Sequence, residues 1–175
     1  MASTARPKHP FLIVRRSFWR LMAPKWSHAP LSGGGAAARG GRFNRPGQVA
    51  LYMSSDLETA LAEYSQDLPD RPGTFCRYDV TIDRILDLRD QVTCAAFDIA
   101  APALACPWKQ ILLIEKAEPP TWRIVDRLRA SGAYGALVPS QRRPEGHNLV
   151  LWVWAEDTVK PFDPNNDLPL PSRPD

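Results

Sequence analysis

The segment "GGRFNRPGQVALYMSSDLETALAEY", Gly40–Tyr64, sets a loop, a strand and a helix side by side. Gly40 and Gly41 let the backbone come close to another group. In "GQVALYMS" the pattern switches to period two. Leu51 and Met53 share one face and Ala50 and Tyr52 the other, which reads as a strand. Ser55 and Glu58 then fit a capping box, with Asp56 favourable in the first helical turn. Leu57, Ala60, Leu61 and Tyr64 follow at i, i+3, i+4, i+7, an apolar stripe expected to face the core. Glu63 falls on the flank of that stripe, where a carboxylate reaches a cleft beside the helix. Three elements thus offer an arginine (Arg42), a tyrosine (Tyr52) and a glutamate (Glu63) in quick succession.

Upstream, residues 24–48 are rich in loop signals, and six of the ten glycines lie there. So long a loop in one domain is usually functional or disordered. "GGGAAARGG" has no G-K-[ST] and is not a P-loop. Gly33, Gly35 and Ala38 only loosely match a dinucleotide fingerprint, with no strand before them. The stretch reads as a flexible loop or as a mobile lid over a ligand.

Downstream, "TFCRYDVTI", Thr74 to Ile82, puts Cys76, Tyr78, Val80 and Ile82 on one strand face. "WKQILLIEK" is apolar enough for a buried helix or a strand, with helix favoured. "TWRIVDRLRASG" keeps helical spacing at Trp122, Val125, Leu128 and Arg129, and Gly132 supplies the stop. "YGALVPS" is a short strand ending at Ser140, and "NLVLWVW", Asn148 to Trp154, is read as the last strand. The prolines from Pro161 onward argue against further regular structure. Strands dominate the ends and helices lie between, which predicts an α+β domain rather than a doubly wound sheet. The expected organisation is a lead-in over residues 1–14, one domain over 15–160 and a Pro-rich tail over 161–175.

The chain has 175 residues, 44% hydrophobic and 23% charged, an ordinary balance for one globular domain. No apolar run approaches the roughly 18 residues of a membrane span. "FLIV", Phe11 to Val14, is too short for a secretory h-region of about 7–15 residues. A cytoplasmic protein with no membrane partner is expected. Cys76, Cys94 and Cys106 are odd in number and lack a C-x-x-C, against a disulfide framework or a zinc knuckle. His9, His28 and His147 lie far apart, and no metal is expected. The net charge is +3, but the basic residues are scattered. A nucleic-acid binder shows a denser patch, so no direct nucleic-acid partner is expected. Mild positive charge also suits an anionic small molecule.

Each candidate residue has a plain alternative. Arg42 is a solvated loop arginine or a forked phosphate contact. Tyr52 is core or stacks on a planar ring. Glu63 is solvated or stabilises a cationic transition state. Ser140 caps a turn or donates to a ligand. No histidine–acid pair accompanies it, and no G-x-S-x-G is present, which argues against a serine hydrolase.

Taken in order, "FWRL" (Phe18 to Leu21), "GGRFNRPG" (Gly40 to Gly47), "ALYMS" (Ala50 to Ser54), "ALAEY" (Ala60 to Tyr64), "LVPSQR" (Leu137 to Arg142) and "NLVLW" (Asn148 to Trp152) resemble the successive motifs of the RES-domain toxin family, and within it the ParT-like toxins. The resemblance covers roughly residues 15–155. It implies the toxin half of a type II toxin–antitoxin pair, whose antitoxin often carries an Xre-like DNA-binding domain. It implies an ADP-ribosyltransferase-like split β-sheet with flanking helices, and an enzyme that consumes NAD⁺ as substrate. The family's arginines match Arg20 and Arg42, its tyrosine Tyr52, its glutamate Glu63, its serine Ser140 and a following asparagine Asn148. Phe43 stands where the motif more often has tryptophan. By this resemblance Glu63 stabilises the cation formed when the nicotinamide–ribose bond breaks. Arg20 and Arg42 hold the pyrophosphate, Tyr52 stacks on nicotinamide and Ser140 orients the ribose. The acceptor of ADP-ribose is a protein side chain, water or phosphate, and protein modification is favoured. The rival from another class is a basic nucleic-acid-binding module, indifferent to Glu63.

Overall fold

The computed structural model of the chain describes residues 11–66 and 70–171. Residues 1–10 of the lead-in and the last four of the tail lie outside that range. The architecture is mixed α+β. In chain order the strands are β1 (Leu12–Met22), β2 (Leu51–Ser54), β3 (Thr74–Asp87), β4 (Gly135–Pro139), β5 (His147–Leu151) and β6 (Val159–Pro161). The helices are α1 (Gly34–Arg39), α2 (Leu57–Ser65), α3 (Gln91–Ala96), α4 (Ala101–Leu104), α5 (Trp108–Leu113) and α6 (Pro120–Ala130), with a 3-10 turn at Pro24–Trp26.

The strands run β1-β2-β5-β4-β3-β6, and β1 also pairs with β3, so the first five close into a ring. The long β1–β3 pairing is antiparallel, from Leu12 opposite Ile85 to Met22 opposite Thr74. The join of β1 to β2 is a single pair, Trp19 with Ser54. β3 and β4 pair in parallel over Ile85 to Asp87.

Alternation along these strands feeds two cores. Leu51, Met53, Leu137, Leu149 and Leu151 join Phe18, Tyr78 and Val80 in the inner one. Ala50, Ala136, Val138, Val150 and Trp152 turn the other way, against Val125 and Leu128 of α6 and Leu104 of α4. Buried on both faces, β4 and β5 read as nearly continuous apolar runs. Arg84 has φ +58°, which breaks the alternation of β3, and Ile85 and Leu86 are then both buried, one in each core.

The α+β class with flanking helices holds, and the strand pairings close into a ring. Several expectations are corrected. The 24–48 region is not one long loop, because it holds the 3-10 turn and α1. α2 begins one residue later than its capping-box reading. Asp56 is the cap and accepts the Thr59 amide at 2.8 Å, while Ser55 donates to Asp56. The stripe is also rotated: Leu57 and Leu61 are about half exposed, whereas Thr59 and Ala60 are buried. The inward face is therefore Asp56, Thr59, Ala60 and Glu63, since polar groups of the 140–148 segment lie beneath it. α5 forms as a helix but has no buried residue. Its apolar side chains occupy consecutive positions 111–114 and circle an axis of under two turns, so one packing side covers few of them. β5 stops at Leu151, and the β6 strand that follows includes Pro161. Beyond it Phe162 donates its amide to Arg77, and Leu168 packs against the inner core, so the described part of the tail lies along the surface. α6 ends as expected, with Gly132 at φ +93° just past its last turn.

Candidate active site

The loop before β2 is fixed from four sides. Asn44, 1% exposed, donates its side-chain amide to the carbonyls of Ala36, Arg45 and Gln48 at 2.9, 3.1 and 3.0 Å. Two hydrogens serve three acceptors, so one bond is shared. The indoles of Trp122 and Trp152 donate to the Gly41 and Phe43 carbonyls at 2.8 and 2.9 Å. Arg45 pairs with Glu118 and Asp126 and lies over the Trp122 ring. A Cβ on Gly41 would sit 2.6 Å from the Asn44 side-chain oxygen and 2.7 Å from the Tyr52 hydroxyl, so glycine is required there. The glycine-rich stretch read as a flexible loop or mobile lid instead carries the short helix α1, Gly34–Arg39, which this loop follows.

The Tyr52 hydroxyl is used up by that same loop. It donates to Asn44 at 2.8 Å and accepts the Phe43 amide at 3.1 Å. Burial pushes the phenol well above its ordinary value, so it stays protonated. What Tyr52 has left to offer a ligand is its ring face. Arg42, next along the pinned loop, is half-buried and donates to the Leu104 carbonyl at 3.3 Å. Burial lowers its guanidinium from the ordinary value, while Cys106, Glu63 and Tyr52 act to raise it and Arg142 acts to lower it. Arg42, Tyr52 and Glu63 therefore face one another electrostatically.

Glu63 projects from the inward face of α2. Its Oε1 accepts the Ser140 hydroxyl and the Asn148 amide, both at 2.8 Å. Asn148 is aimed by Ser54 directly opposite it in the β2–β5 pairing, which donates to the amide oxygen at 2.8 Å and turns the NH₂ toward Glu63. Ser140 is aimed by its own turn, where its oxygen accepts the Arg142 and Arg143 amides at 3.2 and 3.1 Å. With its one proton given to Glu63, this hydroxyl has no proton left for a ligand. Glu63 Oε2 has no hydrogen-bond partner among the described residues. One carboxylate oxygen is thus anchored and the other is open.

The 140–147 loop closes against α2. Arg142 donates to Gln66 at 2.9 Å, Arg143 pairs with Asp56 at 3.0 Å, and a side chain at Gly146 would collide with Thr59. Of the six residues singled out by sequence, Glu63, Ser140 and Asn148 form one hydrogen-bonded group, and Arg42 and Tyr52 stand beside it. Arg20 is not bonded into it. It lies on the inner-core face of β1, opposite Cys76, and donates to the carbonyls of Pro30 and Ser32 at 3.1 and 3.3 Å. The buried Tyr78 hydroxyl also donates to Pro30, at 2.8 Å. Sequence reasoning missed Asn44, Ser54 and Arg142 as site residues. Their only signal was a place inside quoted motifs. Among the described residues no cluster of His, Cys, Asp or Glu could hold a metal, and no helix is long and apolar enough to cross a membrane.

Comparison with known proteins bears on this constellation. The RES domain family matches residues 17–171. The chain belongs to the RES-domain family. Among solved structures, the chain is similar to one in the crystal structure of the M. tuberculosis MbcT–MbcA toxin–antitoxin complex. The TM-score is 0.64 at 18% identity, over 87% of this chain and 84% of that one, a likeness of fold. No curated protein matches the sequence. The match spans every motif on which the resemblance was read, from Phe18 to Trp152.

Proposed function

We propose that this RES protein is the toxin of a toxin–antitoxin pair, and that it breaks the nicotinamide–ribose bond of NAD⁺ and passes ADP-ribose to a protein side chain. Family membership supports the coarse reading, an NAD⁺-acting toxin with a cognate antitoxin. The observation that carries the chemistry is the half-anchored Glu63 carboxylate, held through Oε1 by Ser140 and Asn148 with Oε2 open. The open oxygen would accept a hydrogen bond from a hydroxyl of the nicotinamide ribose. Its charge stabilises the oxocarbenium ion as the C–N bond breaks. The bonding pair leaves with nicotinamide, which departs neutral and needs no strong acid. The acceptor then adds to the ribose carbon and gives up a proton.

Arg42, on a pinned loop beside Glu63, would bind the pyrophosphate through the donors not spent on Leu104. The Tyr52 ring would stack on nicotinamide while its hydroxyl secures the loop. Ser140 and Asn148 act through Glu63 as positioning residues. Arg20 holds the 30–32 segment to β1 in this reading rather than clamping the substrate. The single-pair seam between β1 and β2 and the short β3–β4 join leave two half sheets, β1–β3–β6 and β2–β5–β4, which supports the split-sheet reading. The antitoxin is proposed to be Xre-like, and the setting the cytoplasm.

The test is incubation with NAD⁺ labelled on the adenylate phosphate, with and without cell lysate, beside Glu63→Gln. A labelled protein band that requires Glu63 is expected. Glu63-dependent NAD⁺ loss without such a band would move the acceptor to water or phosphate. No Glu63-dependent change at all would refute the enzymatic reading and favour the basic binding module.

A further inference from the structure

Beside the Glu63 group lies a cavity of about 580 Å³, between α3 and α4 on one side and the 139–147 loop on the other. Its size falls in the range of ligand pockets, roughly 300–1,000 Å³. Its lining adjoins the site through residues bonded or adjacent in the chain to site residues. Leu104, whose carbonyl takes the Arg42 guanidinium, forms part of its lining, and so do Pro139 and Gln141, which flank Ser140.

The chemistry of the walls is selective. Leu88, Ile99, Leu104 and Pro139 supply an apolar floor for a flat ring. Two carboxamides, Gln91 and Gln141, stand at the rim, and neither has a hydrogen-bond partner among the described residues. The only guanidinium in the lining, Arg89, is occupied. Its Nε and Nη2 fork onto the two oxygens of Asp87, both at 2.7 Å. A free carboxamide pairs bidentately with the N6/N7 edge of adenine, whereas the O6/N7 edge of guanine calls for arginine or lysine. His147 on the same wall is held to about 4 by burial first, then by the Arg89 and Arg16 charges, so it is a neutral surface at pH 7.

We propose that this cavity is the adenine subsite of the dinucleotide, with Gln91 or Gln141 reading the adenine edge while Arg42 holds the pyrophosphate that spans the two halves. The inference rests on the NAD⁺ reading for its substrate, but it can be tested without turnover.

Ala95 and Ala101 line the cavity from opposite helices and are both exposed, so tryptophan at either position fills the space without entering the core. Calorimetry with AMP and GMP is run on wild type, Glu63→Gln, Ala95→Trp and Ala101→Trp, each checked for folding by thermal melting. Wild type and Glu63→Gln are expected to bind AMP at least tenfold more tightly than GMP. Both tryptophan variants are expected to lose AMP affinity more than tenfold. Double replacement Gln91→Ala, Gln141→Ala is expected to erase the preference for AMP. In turnover, Ala95→Trp should raise KM for NAD⁺ and leave nicotinamide mononucleotide, which lacks the adenylate, unaffected. AMP binding unchanged in folded Ala95→Trp and Ala101→Trp would overturn the subsite, whether or not NAD⁺ is consumed. AMP binding lost in both variants of a protein that does not consume NAD⁺ would keep the subsite and remove the activity.

Discussion

Ser140→Ala separates two roles that look alike in sequence. If Ser140 acts only through Glu63, its removal takes one hydrogen bond from a carboxylate that Asn148 still holds at 2.8 Å. A hydrogen bond to a charged group contributes about 1.5–3 kcal/mol. Lost from the transition state, that is roughly a 10- to 150-fold fall in kcat. KM for NAD⁺ should change little, because Arg42 and the adenine end are untouched. The Arg142 and Arg143 amides lose their acceptor too, but both residues lie at least partly exposed and water replaces it. Melting should therefore fall by only a few degrees, at about 2–4 °C per kcal/mol for a chain of this size. The deciding assay is a double-mutant cycle with Glu63→Gln, reading NAD⁺ loss. Once Glu63 has lost its charge, Ser140→Ala should cost almost nothing more, giving a coupling close to the whole single-mutant effect. Additive losses across the cycle would refute the argument. They would mean that Ser140 touches the substrate itself and is not a positioning residue.

Arg42→Ala should weaken NAD⁺ binding by about 1.5–3 kcal/mol, and an unchanged dissociation constant by calorimetry would make Arg42 a bystander. Asn44→Ala should cost about 2–4 kcal/mol, since it strips the part-buried carbonyls of residues 36, 45 and 48 and the Tyr52 hydroxyl at once. Denaturant unfolding checks that figure, and a loss under 1 kcal/mol would show that the loop is pinned elsewhere. His147 predicts acid lability. Its folded value near 4 lies below the free value of 6.5, so the unfolded chain takes up the proton first. That contribution is full above about pH 6.5 and disappears as pH falls to about 4. It amounts to roughly 1–2 kcal/mol after screening. His147→Gln should flatten this part of the stability–pH curve, and an unchanged slope would exclude the histidine as its source. Asp56 is lowered to about 2. Burial opposes the shift, but the hydrogen bonds of Ser55 and Thr59 and the Arg143 charge outweigh it. Asp56→Ala should remove about 1 kcal/mol at pH 7 and less below pH 3, measured by urea titration at both values.

Legibility in the sequence followed how each element is buried. β2 could be read because its two faces differ in kind, Leu51 and Met53 against Ala50 and Tyr52. The first part of β3 could be read because one face is exposed to water. β1 could not, although it forms the longest pairing in the sheet. Arg16 and Arg20 sit on the same face as Phe18 and Met22, and a register shift falls between Leu12 and Val14, so no clean alternation survives. α2 was seen as a helix but turned the wrong way, and the reason bears on function. A hydrophobic-moment argument assumes that the neighbour of a helix is apolar. The neighbour of α2 is Ser140, Asn148 and Arg143, so the polar side of the helix is the packed side and Leu57 and Leu61 are left outside. That inversion puts Glu63 against its partners. The site residues themselves were legible only as a succession of short motifs, because no pair of them is joined by local spacing: the Ser140 bond to Glu63 spans 77 residues and the Asn148 bond 85. Asn44 and Ser54 were present in those motifs without a role, since what they do is hold Tyr52 and Asn148 at a set angle, and orientation is a property of the fold.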